Sequence, residues 1–236
     1  MKINGFQKLT LLDFPEKMAC IVFTAGCNFR CPFCHNSGLL TDGGEQIPVE
    51  EFLAFLKKRQ GLLDGVCITG GEPTLYPELP ALLTQIKALG FAVKLDTNGS
   101  NPGVLKALVE AKLVDYVAMD IKNCRERYHA TAGSNHIDMD AIEESMVFLM
   151  TGTLPYEFRT TVVKQLHCRE DFQAMGRWFQ KLSPEKKVSQ YFLQSYVHRD
   201  SVLCGGLSAP ESTDLQDFLS AIGAYVHTAK IRGSDL

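Results

Sequence analysis

The chain has 236 residues, of which 45% are hydrophobic, and its 24 lysines and arginines against 27 aspartates and glutamates give a formal net charge of −3. This length suits one α/β domain, and the slightly acidic charge disfavours electrostatic capture of nucleic acid or of an anionic membrane. The sequence has neither the layout of a secretory signal peptide nor an apolar run of about 18 residues, the length that spans a membrane. We therefore expect a cytoplasmic protein with no nucleic-acid or membrane partner.

Short apolar stretches alternate with amphipathic stretches along the chain, which predicts strands followed by helices. The first 17 residues carry few strand or helix signals, and we expect them to lie across one end of the domain. The predicted strands cover residues 19–25, 66–69, 92–96, 116–119, 158–163 and 191–195, with a further short strand considered at 229–232. The predicted helices run from 48 to near 61, 77 to 89, 102 to 111, 138 or 140 to about 150, 171 to 181 and 212 to 225. Asp138 or Asp140 can cap the fourth of these helices.

Six strand–helix units favour a parallel sheet, which is either open and doubly wound or curled into a barrel. Periodicity does not separate these two folds, but polar motifs follow the carboxyl ends of four predicted strands, where a barrel collects its catalytic groups on one rim. No repeat or change of composition marks a domain boundary. We therefore expect one domain over residues 1–236, with a core at about residues 15–200, an N-terminal lead-in and a C-terminal helix.

Three cysteines follow the first predicted strand in the run Cys27-Asn-Phe-Arg-Cys31-Pro-Phe-Cys34. Three thiols so close in sequence can converge on one point, and thiolates suit zinc, copper(I) or an iron–sulfur cluster. A structural zinc site normally closes with four protein ligands, and no fourth cysteine or histidine lies at suitable spacing. The run therefore favours a cluster with one exposed iron. The alternative is a non-catalytic protein, either a structural zinc domain or an electron-transfer domain.

The other five cysteines are unlikely to form a disulfide framework, because the sequence shows no export signal. Cys20 and Cys67 lie inside apolar runs, which predicts small buried side chains. Cys124, Cys168 and Cys204 lie in predicted loops without a nearby cysteine partner. We interpret these three as unpaired thiols, with a second metal site gathered from three loops as the alternative.

The second predicted strand runs into the turn Gly70-Gly71-Glu72-Pro73. Glycine and proline favour a tight turn after a strand, so the motif alone has a purely structural explanation. The alternative is a ligand site, because glycines let a ligand approach the backbone closely and Glu72 supplies an acceptor for an ammonium group.

Further polar groups belong to the later strands. Asp96 and Asn98 lie in the run Asp-Thr-Asn-Gly, which also suits a turn or a helix cap. Asp120 and Lys122 end the next strand and also suit an ordinary exposed pair. Two carboxylates on one rim repel each other unless a cation lies between them, which favours a ligand site. Arg159 lies inside a strand, where its fork suits a carboxylate; the alternative is a snorkelling arginine on an exposed face.

The three-cysteine loop, followed about 40 residues later by the Gly-Gly-Glu-Pro turn, resembles the signature of the radical S-adenosylmethionine (SAM) enzymes. Within that family the chain is most similar to activases of glycyl-radical enzymes, in particular to the activating protein of anaerobic ribonucleoside-triphosphate reductase. The densest resemblance lies in residues 11–15 and 26–36. The family carries a histidine directly after a tyrosine near His198, whereas Val197 intervenes here.

This resemblance implies a partial (β/α)6 TIM-like barrel of the radical SAM type, with one [4Fe-4S] cluster on Cys27, Cys31 and Cys34. The amino and carboxylate groups of SAM would bind the open iron, with the amino group near Glu72. One-electron reduction would then yield a 5′-deoxyadenosyl radical that takes hydrogen from a glycine of the partner. The residues that the resemblance implies as SAM contacts are Phe33, Gly70, Gly71, Glu72, Asp96, Asn98, Asp120, Lys122 and Arg159.

The resemblance also implies two protein partners. One is a glycyl-radical enzyme, namely the anaerobic ribonucleoside-triphosphate reductase, and the other is a one-electron donor such as flavodoxin or ferredoxin. The alternatives within the family are activation of a different glycyl-radical enzyme and modification of a small molecule or peptide.

Overall fold

The computed structural model describes residue 1, residues 3–40 and residues 46–233, and the chain divides into two compact units. The first unit consists of Met1–Asn28, Gly38–Thr97 and Asn101–Ala118, and the second of Phe29–Ser37, Asn98–Ser100 and Met119–Leu236. Strands alternate with helices in both units, which confirms the predicted α/β class. Within the described ranges, no helix is both long and apolar enough to cross a membrane.

The strands follow the chain in short segments that match the predicted apolar runs closely. They are β1 Ile3–Thr10, β2 Ala19–Thr24, β3 Gly65–Gly70, β4 Ala92–Thr97, β5 Tyr116–Asp120, β6 Tyr156–Val162, β7 Val188–Ser195 and β8 Val226–Arg232. The α-helices are α1 Val49–Lys57, α2 Leu79–Ala88, α3 Pro102–Glu110, α4 Tyr128–Ala132, α5 Met139–Thr151, α6 Arg169–Leu182 and α7 Ser212–Gly223. The six predicted strands are thus β2 to β7.

The start of the chain differs from the prediction, because β1 forms there and pairs antiparallel with β2, with Phe6 opposite Val22. Phe6 packs against Phe52 and Phe55 of α1, with ring centroids 5.5 and 4.9 Å apart. Only the two end residues of β1 are buried, so the apolar alternation that marks a strand is weak there.

In the first unit, β2, β3 and β4 pair in parallel. Phe14, from the turn that follows β1, packs into a core cluster with Ala19, Cys67 and Tyr116. Gly65 makes room for this ring, because a Cβ there would lie 2.9 Å from Phe14. The turn therefore lies at the amino-terminal ends of β2, β3 and β5, which agrees with a lead-in across one end of the strands. The polar motifs of this unit follow the opposite, carboxyl ends.

In the second unit, β6, β7 and β8 pair in parallel, with Phe158 opposite Tyr191. The strand β8 is longer than the short strand considered there. Its last residue, Arg232, forms a two-point ion pair with Glu157 at 2.5 and 2.8 Å, and its guanidinium lies 3.3 Å from the centroid of the Phe192 ring. These side-chain contacts tie the end of β8 to β6 and β7.

Helix starts in the second unit follow the capping rules in part. The Asp138 carboxylate accepts from the backbone amides of Asp140 and Ala141 at 3.0 and 3.2 Å, which confirms the predicted cap of α5. The short helix α4 escaped prediction, because five residues are too few to show a helical period.

Candidate active site

The predicted site residues are divided between the two units. The first unit contains Cys27, Gly70, Gly71, Glu72 and Asp96, and the second contains Cys31, Phe33, Cys34, Asn98, Asp120, Lys122 and Arg159. Each unit therefore assembles its own group of predicted residues.

In the second unit, Cys31 and Cys34 lie in one tight turn, because the Cys34 amide donates to the Cys31 carbonyl oxygen at 3.0 Å. The same loop is fixed to the end of α4, where the Arg30 amide donates to the Ala132 carbonyl oxygen at 3.0 Å. Gly133 permits this approach, since its φ is +66° and a Cβ there would collide with the Arg30 carbonyl group. The carboxyl end of α4 thus supports the backbone that leads to Cys31 and Cys34.

The loop that follows β7 contacts the cysteine loop as well. The Cys204 amide donates to the Pro32 carbonyl oxygen at 3.1 Å, and the Ser201 hydroxyl donates to the His35 carbonyl oxygen at 2.9 Å. Phe33, between these two acceptors, is buried. Sequence reasoning missed this support, because the two loops are far apart in the chain and neither contains a signal for the other.

Asp120, Lys122 and Arg159 form one charged group in the second unit. Arg159 Nε donates to Asp120 Oδ1 at 2.5 Å, and Lys122 Nζ donates to Asp120 Oδ2 at 2.8 Å. The arginine side chain is 14% exposed, so it is neither a snorkelling residue nor part of an ordinary surface pair. The group carries a net charge of one positive unit when all three side chains are ionised, which suits a ligand with a negative group.

The charged group interacts electrostatically with the two cysteines of the turn. Burial by itself raises the pKa of the Asp120 carboxyl, but Arg159 and Lys122 outweigh burial and hold that pKa well below its usual range. Burial lowers the pKa of Lys122, whereas Asp120 and, more weakly, Cys31 raise it, and the net shift is upward. Burial raises the pKa of the Cys34 thiol, and Lys122 acts against that shift. A cation beside these thiols favours the thiolate that binds metal.

In the first unit, the Gly-Gly-Glu-Pro turn is joined to the backbone just before Cys27. The Gly71 amide donates to the Thr24 carbonyl oxygen and the Glu72 amide to the Gly26 carbonyl oxygen, each at 2.8 Å. Glycine is required at position 71, because a Cβ there would collide with the Gly26 carbonyl group. Besides connecting a strand to a helix, the turn therefore fixes the backbone that leads to Cys27.

The Glu72 side chain is 1% exposed and is oriented by threonines. Its Oε1 accepts from the Thr74 hydroxyl at 2.5 Å, from the Thr97 hydroxyl at 2.8 Å and from the Thr74 amide at 3.1 Å. Asn101 Nδ2 in turn donates to the Thr74 hydroxyl oxygen at 3.0 Å. The sequence analysis did not identify these two threonines as positioning residues, although Thr74 directly follows the Gly-Gly-Glu-Pro turn and Thr97 lies inside the Asp-Thr-Asn-Gly run.

Asp96 pairs with a residue that sequence reasoning overlooked. Lys94 Nζ donates to Asp96 Oδ1 at 2.7 Å, and the two side chains are 2% and 11% exposed. Both residues belong to β4 and are two positions apart, so they lie on the same face of the strand.

Asn98 has a local structural role. Its Oδ1 accepts from the Ser100 amide at 2.9 Å, which is the turn-forming contact that the Asn-Gly pair predicts. Gly99 has a φ of +77°, and its carbonyl oxygen accepts from the Ser145 hydroxyl at 2.7 Å. A turn role for this run is thus confirmed, and a contact between Asn98 and SAM stays a prediction.

A polar cavity of ≈ 190 Å³ lies in the second unit at the carboxyl ends of β6, β7 and β8. Its lining residues are His35, Thr161, Gln194, Ser195, Arg232 and Gly233. The Nε2 atom of His35 is buried and has no hydrogen-bond partner among the residues that the structure describes. Burial lowers the pKa of His35, which favours the neutral imidazole. The cavity therefore offers hydroxyl, amide and imidazole groups to a polar ligand.

The three loop cysteines do not come together. Cys124 and Cys168 both approach Asp171, with sulfur–oxygen distances of 3.7 and 3.3 Å, and Arg127 pairs with the same carboxylate at 2.7 Å. Burial raises the pKa of the Cys124 thiol to about 11. Cys204 instead lies against the cysteine loop. In the part of the chain that the structure describes, these three thiols are therefore not arranged to hold a single metal ion.

Cys20 and Cys67 are buried, as predicted, and burial raises the pKa of Cys20 to about 12. Across residues 1, 3–40 and 46–233, no three side chains of histidine, cysteine, aspartate or glutamate are arranged to hold a single metal ion. A four-iron cluster differs from such a site, because its cysteine ligands bind different iron atoms.

Comparison with known proteins gives consistent results. Residues 21–146 match the sequence model of the Radical SAM superfamily. A putative glycyl-radical enzyme activating enzyme of Methanocaldococcus jannaschii is 28% identical over 98% of this chain and 95% of its own length. The pyruvate formate-lyase-activating enzyme of Clostridium pasteurianum is 33% identical over 52% of each chain.

Solved structures show the same fold. Streptococcus suis SuiB bound to S-adenosylmethionine aligns with a TM-score of 0.68 at 13% identity, over 91% of this chain and 52% of SuiB. The chain thus spans about half of the length of SuiB, and the likeness concerns the fold alone. The alignment supports the α/β fold with parallel strands and agrees with the predicted partial TIM-like barrel.

Proposed function

Because this chain belongs to the Radical SAM superfamily, we propose that it generates a glycyl radical on a partner enzyme, and that this partner is the anaerobic ribonucleoside-triphosphate reductase. Members of the superfamily are enzymes that use a [4Fe-4S] cluster and SAM, and the chain is such an enzyme. The observation that carries the activase proposal is the likeness to a putative glycyl-radical enzyme activating enzyme over 98% of this chain. The electron comes from a one-electron donor of the flavodoxin or ferredoxin class.

The donor set fits the cluster. Cys27, Cys31 and Cys34 supply three soft thiols within one short run, and Lys122 lies close enough to Cys31 and Cys34 to favour their thiolates. We assign the cluster to these three cysteines. Three protein ligands leave one position open, as in other catalytic metal sites, so that a substrate becomes a ligand.

When bound, the cluster and SAM supply a one-electron reductive cleavage to methionine and a 5′-deoxyadenosyl radical, which takes a hydrogen atom from a glycine Cα of the partner. The chain itself binds and orients the reactants and excludes water from them.

Glu72 is assigned to the ammonium group of SAM. Its Oε1 is held by hydroxyl and amide donors of Thr74 and Thr97, so the carboxylate is fixed in direction before a ligand binds. A buried carboxylate gains most from a charged donor, because hydrogen bonds to ionised groups are shorter and stronger than neutral ones. Gly70 and Gly71 let this turn approach the backbone of residues 23–26, with which a Cβ at either position would collide.

The charged group of Asp120, Lys122 and Arg159 is assigned to the carboxylate of SAM and to the charges around it. Two cations share one carboxylate there, so a second negative group gains a net attraction. Phe33, Asp96 and Asn98 remain predicted SAM contacts. The polar cavity beside His35 is assigned to the adenosine part of SAM, because it lies next to Cys34 and offers hydrogen-bonding groups to a nucleoside.

A second candidate is activation of another glycyl-radical enzyme, such as pyruvate formate-lyase. It is favoured by the 33% identity to the clostridial enzyme, although that likeness covers about half of the chain. The first steps would be the same in both cases, and the partner alone would differ.

The test uses reconstituted protein, a reductant and SAM, mixed without oxygen with each candidate partner. We expect a glycyl-radical doublet in the electron paramagnetic resonance spectrum of the ribonucleotide reductase, with one 5′-deoxyadenosine formed per radical. Cys34→Ala serves as the control that lacks a cluster ligand and yields neither product. A radical that forms only in another enzyme would refute the named partner, and turnover of a small molecule without a protein radical would refute the activase proposal.

A further inference from the structure

Lys94 is one of the largest fully buried side chains in the protein, with 2% of it exposed. Its ammonium donates to Asp96 Oδ1 at 2.7 Å, and the aspartate side chain is 11% exposed. Lysine and aspartate are rarely buried unless they are paired, and Asp96 supplies the carboxylate that pairs with the buried Lys94 ammonium.

Stability alone does not account for this ion pair. Taking two charges out of water is costly, and well-packed apolar residues of similar volume are often equally stable or more stable in the same place. The residues on either side of Lys94 in β4, Val93 and Leu95, are apolar and fully buried, so a charged side chain between them is an exception in this strand. The pair therefore points to a role for the charges themselves.

The position of Asp96 indicates that role. The next residue, Thr97, donates to Glu72 Oε1 at 2.8 Å, so the end of β4 that carries Asp96 also carries a residue that orients the proposed ammonium acceptor. Asp96 also lies at the carboxyl end of β4, where a ligand of an α/β protein is expected. Lys94 lies two residues before Asp96 in β4, so the two side chains are on the same face of the strand.

We propose that Lys94 is a positioning residue for SAM binding, whose buried ammonium fixes the Asp96 carboxylate in one direction so that it binds a hydrogen-bond donor of SAM. With Oδ1 held by Lys94, the plane of the carboxylate is set before the ligand arrives, which lowers the ordering cost of binding. The proposal rests on the proposed use of SAM and adds the residue that prepares one of its contacts.

A neighbouring thiol does not compete for the ammonium. Cys67, in the adjacent strand β3, lies within electrostatic reach of both Lys94 and Asp96. Burial raises the pKa of Cys67 far above its ordinary value, so the thiol is neutral at physiological pH. The lysine charge is therefore directed to Asp96.

The test measures the dissociation constant of SAM by equilibrium dialysis with anaerobically reconstituted protein. We expect Lys94→Met, which keeps the length and removes the charge, to weaken SAM binding about tenfold or more while the iron content stays unchanged. Lys87→Met is the matched control, because Lys87 pairs with Asp115 at 2.7 Å in the same unit but lies outside the proposed site. SAM affinity should be unchanged in that control.

Chemical rescue separates a positioning role from a structural one. Lys94→Ala leaves space beside Asp96, so added methylammonium should restore SAM affinity in a concentration-dependent way and should have no effect on wild-type protein or on Lys87→Ala. SAM binding by Lys94→Met at the wild-type affinity would overturn the proposal.

Should Lys94→Met fail to fold, a comparison of two further variants decides the question. The proposal requires Lys94→Met/Asp96→Asn to bind SAM as well as Asp96→Asn alone, because the lysine acts through the carboxylate. A further tenfold loss in the double variant would overturn it. None of these measurements involves a partner enzyme, so absence of a glycyl radical with wild-type protein refutes the proposed function and leaves this test intact.

Discussion

Asp96 and Asp120 lie within the last two residues of their strands, and each has a lysine two residues away, but the two sites are built differently. Asp96 pairs with Lys94 inside β4, where both side chains are almost fully buried. Asp120 is 30% exposed and is held by Lys122 and by Arg159 from β6. The same local sequence signal thus leads to a dry ion pair in the first unit and to a partly solvated group of three charges in the second.

The two arrangements should respond differently to the loss of a cation. In a dry ion pair, removal of the cation leaves a carboxylate that water does not solvate, so the cost is large. Where water and a second cation reach the carboxylate, the loss of one cation is partly compensated. The comparison therefore predicts a large effect at Lys94 and smaller effects at the cations of Asp120.

The largest effect is expected for Lys94→Met. We expect it to lower the free energy of unfolding by about 3–5 kcal/mol, because the buried Asp96 carboxylate loses the cation that donates to its Oδ1. Urea titration of the reconstituted protein measures this change. Lys94→Met/Asp96→Asn removes both charges and should recover most of the loss. A loss no greater than about 1 kcal/mol, which is typical of exposed pairs, would contradict the dry pair.

Glu72 is a third carboxylate, and threonine hydroxyls orient it. Glu72→Gln keeps the size and removes the charge, so we expect it to weaken SAM binding by roughly 1.5–3 kcal/mol, or about tenfold to a hundredfold, with the cluster intact. Equilibrium dialysis with SAM and an iron assay measure the two effects separately. SAM affinity equal to that of wild type would place the ammonium group elsewhere.

Arg159→Met should have a smaller effect on stability than Lys94→Met. We expect a loss of about 1 kcal/mol in the free energy of unfolding, because Lys122 still pairs with Asp120 and water reaches the carboxylate. Urea titration again provides the measurement. Arg159→Met/Lys122→Met should lose more than the sum of the two single variants, since it leaves Asp120 without either cation. A loss for Arg159→Met as large as that for Lys94→Met would show that the two carboxylates are equivalent.

The sequence was sufficient to predict the six strands β2 to β7 and the polar residues at their ends, because short apolar runs and turn residues are local signals. It also predicted the burial of Cys20 and Cys67 and the cap at Asp138. It did not predict β1, since the middle of an edge strand is exposed and its alternation is weak.

The partners of the charged residues were largely beyond sequence reasoning. Lys94 interrupts an apolar strand and carries no signal that its charge is turned inward to Asp96. The pairing of Arg159 with Asp120 and the contact of Cys204 with Pro32 join residues far apart in the chain. Such contacts depend on tertiary packing, which local propensity and periodicity do not encode.

The smallest expected effect is the pH dependence of stability at Asp120. Its pKa in the folded protein lies below the ordinary value of about 3.9, because Arg159 and Lys122 outweigh the effect of burial. A depressed carboxyl pKa contributes stability that is fully present above the unfolded value and is lost as pH falls toward the folded value. The difference in unfolding free energy between wild type and Asp120→Asn should therefore be constant from about pH 5 to pH 8 and should shrink below about pH 4.

Urea titrations of cluster-free protein over this range measure that difference without a contribution from cluster loss in acid. Asp115→Asn is the matched control, because Asp115 pairs with Lys87 outside the proposed site. If the advantage of wild type over Asp120→Asn instead grew as the pH fell from about 6 to about 4, the Asp120 carboxyl would have a raised pKa. In that case burial would affect the Asp120 pKa more than Arg159 and Lys122 do. Asp120 would then behave like a buried carboxyl group that has no cation beside it.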